Sequence, residues 1–229
     1  MKDMQIRMLQ RLKTTTVAGF AVLAMALLVI AGCATKGKVK PALVQEPPVA
    51  KGPSVKHLQG GLEGFIITEV PKMDEASRRD FDRAVAMLKE QDYGRAIALL
   101  EKVIGQSPGV TSPYIDIAIA YQRVGKPERA EEHLKTALTL FPEHPVVCNE
   151  LGLLYRKTGR FAEARAIYEK ALSRFPDYYP GQRNLGILCD IYLNDQKCAL
   201  EHYEIYSEAK PDDKQVRLWI ADLRTRLTH

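Results

Sequence analysis

The side chains with the most chemical potential in this 229-residue chain are four cysteines, Cys33, Cys148, Cys189 and Cys198, and five histidines. The histidines are scattered, and none sits at a spacing from acids that signals general acid–base work. No phosphate-binding glycine loop, zinc-protease helix or nucleophile elbow is present. Gly60, Gly61 and Gly64 are not bracketed by a strand and a helix, as a dinucleotide fingerprint requires. The expectation is a protein that is not an enzyme and has no cofactor and no metal centre. Thiol chemistry remains, and Cys33 stands apart because it closes an apolar run.

That run extends from Val17 to Ala31 and follows a basic stretch with Lys2, Arg7, Arg11 and Lys13, the layout of a secretory signal peptide. It ends in Ile30, Ala31, Gly32 and Cys33: a branched apolar residue, two small residues and a cysteine. This ending resembles the lipobox of bacterial lipoproteins. The resemblance implies that the Cys33 thiol is alkylated with diacylglycerol, that residues 1–32 are cleaved off as a signal, and that the mature chain begins at Cys33. The other reading is an uncleaved membrane anchor, for which about 17 apolar residues is the lower limit of a span. Ala34 is not the Asp that holds enteric-type lipoproteins at the inner membrane. The implied place is therefore the outer membrane, lipid-anchored and facing the periplasm. Each buried methylene contributes about 0.8 kcal/mol, so several acyl chains make such attachment effectively permanent. Residues 1–32 contain four of the chain's 33 basic residues and one of its 28 acidic ones. The mature charge is then only about +2, and no nucleic-acid footprint is expected.

Residues 33–61 contain Pro41, Pro47, Pro48 and Pro53, several lysines and little that could build a core, so they read as a tether. As a coil this segment spans on the order of 30 Å. Residues 62–73, with Phe65, Ile66, Ile67 and Val70, have the β-branched and aromatic content of an extended segment. Its apolar side chains either pack on the first helical hairpin, or form a short strand that adds to a partner or lies in the domain's own groove.

Steps of 34 residues organise the rest of the chain. Residues 111–144 carry Tyr114, Ile117, Ala118, Tyr121, Gly125, Ala130, Leu134, Ala137 and Pro142. Residues 145–178 repeat the spacing with Cys148, Leu151, Gly152, Tyr155, Gly159, Ala164, Tyr168, Ala171 and Pro176. The pattern resembles the tetratricopeptide (TPR) family, whose unit is a helix-turn-helix. Small residues at places eight and twenty of each unit let two antiparallel helices approach, and larger ones at seven, eleven and twenty-four fill the space around them. Degenerate copies at 77–110 and 179–212 make about four repeats, and 213–227, with Val216, Trp219, Ile220 and Leu223 on one stripe, reads as a capping helix. The expected fold is therefore all-α: a TPR superhelix over residues 74–229. The last copy is one residue too long between Leu188 and Ala199, which predicts an irregular turn around Leu193, Asn194 and Asp195.

With Cys33 lipidated, an odd number of thiols is left in an oxidising compartment. In the repeat register Cys189 and Cys198 both face the seam of the last hairpin. They could form a disulfide, stay reduced as two small buried residues, or join His202 as three zinc ligands. In TPR superhelices the first helix of each pair lines the concave face. Carried onto this chain, those positions include Ile115, Ile119, Gln122, Asn149, Leu153, Arg156, Arg183, Asn184 and Ile187. An apolar floor flanked by amides and arginines suits a protein partner, either an extended peptide or a helix, with amides reading backbone and Arg reading a carboxylate. The two-carboxylate clamp of chaperone-binding TPR domains is not reproduced, because Asp82 and Asp116 stand where Asn or a base is needed.

The layout resembles TPR lipoproteins that assist pilus secretins or pilus fibres. It implies a non-catalytic scaffold, anchored to the outer membrane, that acts as an adaptor in an envelope assembly machine. The alternative is a regulatory or scaffolding subunit for peptidoglycan hydrolases or for polysaccharide synthesis and export.

Overall fold

The computed structural model describes residues 54–57, 65–69 and 72–228. The lipobox with Cys33, the signal segment and most of the tether lie outside these residues. Two short strands, β1 (Ser54–His57) and β2 (Phe65–Thr68), are followed by nine described α-helices. The helices are α1 (Glu75–Lys89), α2 (Tyr93–Gln106), α3 (Thr111–Arg123), α4 (Pro127–Leu140), α5 (Pro145–Lys157), α6 (Phe161–Arg174), α7 (Tyr179–Ile187), α8 (Gln196–Ala209) and α9 (Lys214–Leu227). A π-helical turn, Leu188–Tyr192, extends α7. The first eight helices pair into four antiparallel hairpins that stack in chain order, and α9 covers the last of them.

Aspartate caps start four of the described helices, and a left-handed residue separates the two helices of each hairpin. Asp74, Asp92, Asp195 and Asp213 accept hydrogen bonds from backbone N–H groups at the starts of α1, α2, α8 and α9. These carboxylates satisfy donors that a helix N-terminus leaves open. Between the two helices of each hairpin one residue is left-handed: Gln91 at φ 62°, Gly125 at 71°, Gly159 at 77° and Asn194 at 53°. Gly fills the position in the two middle hairpins, where a side chain would be strained. The N–H that closes the first helix reaches back five residues in three hairpins, from Asp92 to Met87, Lys126 to Tyr121 and Arg160 to Tyr155. In the fourth it reaches back six, from Asp195 to Cys189. The extra residue is thus absorbed in the π-helical turn, and the turn at Asn194 keeps the backbone of its counterparts. The irregularity expected around Leu193–Asp195 lies one turn earlier, because widening a helix by one residue preserves the hairpin geometry downstream.

Inside the stack, places twenty and twenty-four are fully enclosed, as Ala96, Ala130, Ala164 and Ala199 and as Leu100, Leu134, Tyr168 and Tyr203. Tyr168 and Tyr203 fit only because Gly152 and Gly186 stand opposite them; a Cβ at either glycine would come within 3 Å of the ring. The close approach at place eight is therefore made to the side chain at place twenty-four. Val216, Ile220 and Leu223 of α9 complete the core, and Trp219 lies with its ring centroid 5.3 Å from that of Tyr203.

Cys189 and Cys198 form a disulfide between the π-helical turn and the first turn of α8. Closing so short a loop contributes about 2–3 kcal/mol in the chain-entropy description. The zinc arrangement does not form: both thiols are consumed, and His202 Nδ1 lies 2.6 Å from Gln182 Oε1. Cys148 is a free thiol, buried and pushed up to about 12 by desolvation, which keeps it inert.

The segment before the helices departs from expectation. Residues 54–57, assigned to the tether, form β1, which pairs antiparallel with β2 in the register Ser54 to Thr68 and His57 to Phe65. The strand at 65–68 therefore pairs along one edge with a strand of this chain. Backbone pairing satisfies donors and acceptors that a lone strand would leave open. Its contacts are with the junctions between hairpins. The Phe65 ring lies 5.6 Å from Phe175 and 5.9 Å from Tyr178, at the junction of the third and fourth. Glu69 reaches the junction of the first and second, where its Oε2 accepts the Thr111 N–H at 2.7 Å. Val70 lies outside the described residues.

Candidate functional site

Helices α1, α3, α5 and α7 touch one another in sequence, so the first helices of the hairpins form one continuous face. Ile119, Leu153 and Ile187 are partly buried along it, one helix apart, as an apolar strip. Ile115, expected on the same face, is only 8% exposed and belongs to the core. The wall positions also differ from expectation. Asn149 is 6% exposed and engaged on both sides: its Oδ1 accepts from Asn184 Nδ2 at 2.8 Å, and its Nδ2 donates to Glu150 at 3.2 Å. This amide ladder ties α5 to α7 and is not free to read a partner's backbone. Gln122 Oε1 accepts from Lys157 Nζ at 3.3 Å, which links α3 to α5.

The two arginines expected to read carboxylates are both turned toward aromatic rings of this chain. Arg183 lies over Trp219 at 5.4 Å and 3.8 Å from Asp213, so it pins α9 to α7. Arg156 lies over Tyr192 at 5.8 Å. Tyr192 is brought there by the π-helical turn, together with Ile191, and both are exposed. The plain 34-residue count does not reveal that pair; the one-residue insertion is the signal that could have located it.

Two acids of the concave positions, Asp116 and Glu150, are half-buried, which their places in the repeat do not reveal. Burial pushes Asp116 up to about 6 and raises Glu150, with Asn149, Lys157 and Arg123 pulling Glu150 back. Asp116 is raised above its unfolded value, so its penalty is full above about pH 6 and is relieved as the pH falls toward 4. Asp116→Asn should therefore stabilise the protein by about 1–2 kcal/mol at pH 7, with the difference vanishing near pH 4. Urea unfolding at the two pH values measures this, and an equal difference at both would refute it. His144 works in the opposite direction: burial lowers it to about 4, so its contribution is present above about pH 6.5 and is lost on acidification. Because His144 is neutral, the 3.7 Å approach of Glu69 to its Nε2 is not an ion pair.

Among the described residues no cluster of three or more His, Cys, Asp or Glu could hold a metal ion, and no helix is long and apolar enough to cross a membrane. What the face offers is a long strip bordered by charge.

Comparisons agree with this geometry. Family patterns described as tetratricopeptide repeat match residues 115–179 and 87–137. The structure of pilF from Pseudomonas aeruginosa superposes with a TM-score of 0.62 at 22% identity, over 68% of this chain and 71% of that one. MamA from Desulfovibrio magneticus RS-1 gives 0.59 at 16% identity, over 69% and 88%. A curated relative, the probable UDP-N-acetylglucosamine–peptide N-acetylglucosaminyltransferase SPINDLY of Petunia hybrida, is 31% identical over 93 residues. That match covers 41% of this chain but only 10% of the relative, so it shows shared repeats and no shared activity. The described part of this chain is a stack of tetratricopeptide repeats with a capping helix.

Proposed function

We propose that this protein is a non-catalytic scaffold, anchored to the outer membrane through lipid on Cys33 and facing the periplasm, that captures a protein partner on its concave face. The observation that carries the reading is the continuous face of α1, α3, α5 and α7, with its apolar strip Ile119, Leu153 and Ile187 still partly open. The ending Ile30-Ala31-Gly32-Cys33 supports the anchor, and Ala34 supports the outer membrane. The machine we favour is one that assembles pili or their secretin, and the structural likeness to pilF is consistent with it.

Cys33→Ala should move the protein from the membrane fraction to the soluble fraction. A variant that is cleaved by signal peptidase and still sediments with membranes would sink the lipid anchor. Photocrosslinking from position 153 in intact cells, followed by mass spectrometry, tests the rest. A secretin or pilus component is the expected product. Peptidoglycan or polysaccharide enzymes alone would transfer the scaffold to those systems. No product from position 153, with products from the same probe placed on the convex helices, would remove the concave face from the mechanism.

A further inference from the structure

The charges on the concave face are ordered. At the sixth place of the first three repeats stand Asp82, Asp116 and Glu150, and at the thirteenth stand Lys89, Arg123 and Lys157. Between them, at the ninth place, run Val85, Ile119 and Leu153, all partly buried. Because α1, α3 and α5 lie side by side, these residues form three parallel rows across the stack: acidic, apolar and basic. None of the six charged residues is among the ion pairs of the described residues, although most acids elsewhere on the stack are paired. Asp116 and Glu150 are half-buried carboxylates left without a cation in contact.

The separation of the rows selects the occupant. Seven residues of helix divide the acidic row from the basic one, about 10 Å at 1.5 Å per residue. An α-helix with its side chains is about 10–12 Å across, so one helix fits between the rows and reaches both. An extended strand sends its side chains alternately to two faces only, so it cannot serve an acidic, an apolar and a basic row at once. Neighbouring helices pack about 8–10 Å apart, close to the two-turn repeat of a helix lying across them. The rows stop at the fourth hairpin, where Asn184 takes the sixth place and the π-helical turn presents Ile191, 65% exposed, and Tyr192. On α9 the sixth place is Leu218, also 65% exposed.

We propose that the concave face receives an amphipathic α-helix of a partner protein. Its apolar stripe lies on Val85, Ile119 and Leu153, its Lys/Arg flank lies on the acidic row, and its Asp/Glu flank lies on the basic row. The end of that helix over the fourth hairpin is apolar, against Ile191 and Leu218. The opposed rows also fix its direction, since turning the helix end for end would place like charges together. This inference rests on the scaffold reading and specifies its ligand.

The test uses the full-length chain in detergent and three helical peptides of about 21 residues, long enough to cross three repeats. All share one leucine stripe; one has Lys on one flank and Glu on the other, one has Lys on both, and one has Glu on both. Fluorescence anisotropy should show the mixed peptide binding about tenfold more tightly than either of the others. Arg123→Glu with Lys157→Glu, both exposed positions, should transfer the preference to the all-Lys peptide. Asp116→Asn with Glu150→Gln, which keeps side-chain volume, should shift it toward the all-Glu peptide. Equal binding of the three peptides, binding of none, or a preference unmoved by either double variant would overturn the proposal. Crosslinks from position 153 in cells report on the scaffold separately and would leave it standing in each of those cases.

Discussion

Gly152→Ala should lower the unfolding free energy by about 2 kcal/mol, and Tyr168→Leu in the same chain should restore most of the loss. The ordinary expectation has the opposite sign, since Ala in a helix interior is favoured over Gly by about 1 kcal/mol. Here the added methyl would meet the ring of Tyr168, which is 1% exposed and enclosed on every side. A buried ring has nowhere to move, and overpacking of this kind costs about 1–3 kcal/mol, more when three ring atoms are struck at once. The chain contains its own control. At these two places repeats one and two have Ala84 with Leu100 and Ala118 with Leu134, all fully buried, whereas repeats three and four have Gly152 against Tyr168 and Gly186 against Tyr203. Gly152→Ala with Tyr168→Leu converts the third repeat's pair into the second's. The exchange also removes a phenol oxygen that is buried without a hydrogen-bond partner. Tyr168→Leu alone opposite Gly152 leaves a void and should also destabilise. Thermal melts of the four proteins form a double-mutant cycle, with a fall of about 4–8 °C for Gly152→Ala. Effects that simply add would show that the pair does not set the spacing of the two helices.

That pairing shows where the sequence was legible and where it was not. The helical period, the small residues and the turn glycines follow from rules about single positions, and from them the all-α stack of four hairpins and a capping helix could be read. Which small residue answers which large one is a property of two helices, and it emerges only when the packing is seen. The groove obeys the same division. The strip Ile119, Leu153 and Ile187 was legible because burial by place recurs every 34 residues. Ile115, Asn149 and Arg183 were misjudged because neighbours outside their own repeat decide their fate: the core beside α3, the amide on α7, and Trp219 on α9. Residues 54–57 were hidden for a related reason. A four-residue strand has little pattern of its own, and its evidence is the partner eight residues further along, across a segment rich in glycine.

Removing both anchors of that hairpin, by Phe65→Ala with Glu69→Ala, should cost about 3 kcal/mol and expose residues 54–69 to protease. The carboxylate has a defined role. Val110 precedes α3 and supplies no side-chain cap, so the first turn of α3 takes its acceptor from Glu69, which is 42 residues away from Thr111 in sequence. Losing a cap costs about 1–2 kcal/mol, and the negative charge near a helix N-terminus adds a few tenths more. Phe65 contributes through partial burial against Phe175 and Tyr178, about 1–2 kcal/mol for a half-covered ring. The two single variants separate these effects. Amide exchange at Thr111 should accelerate in Glu69→Ala while the third hairpin junction stays protected, and Phe65→Ala should do the reverse. Glu69→Gln keeps the acceptor and should retain most of the protection at Thr111. If Thr111 exchanges at the same rate in Glu69→Ala as in the parent, the hairpin does not cap α3. Its polar anchor at the start of the second hairpin would then be absent, and the Phe65 ring on Phe175 and Tyr178 would carry the larger share of its attachment.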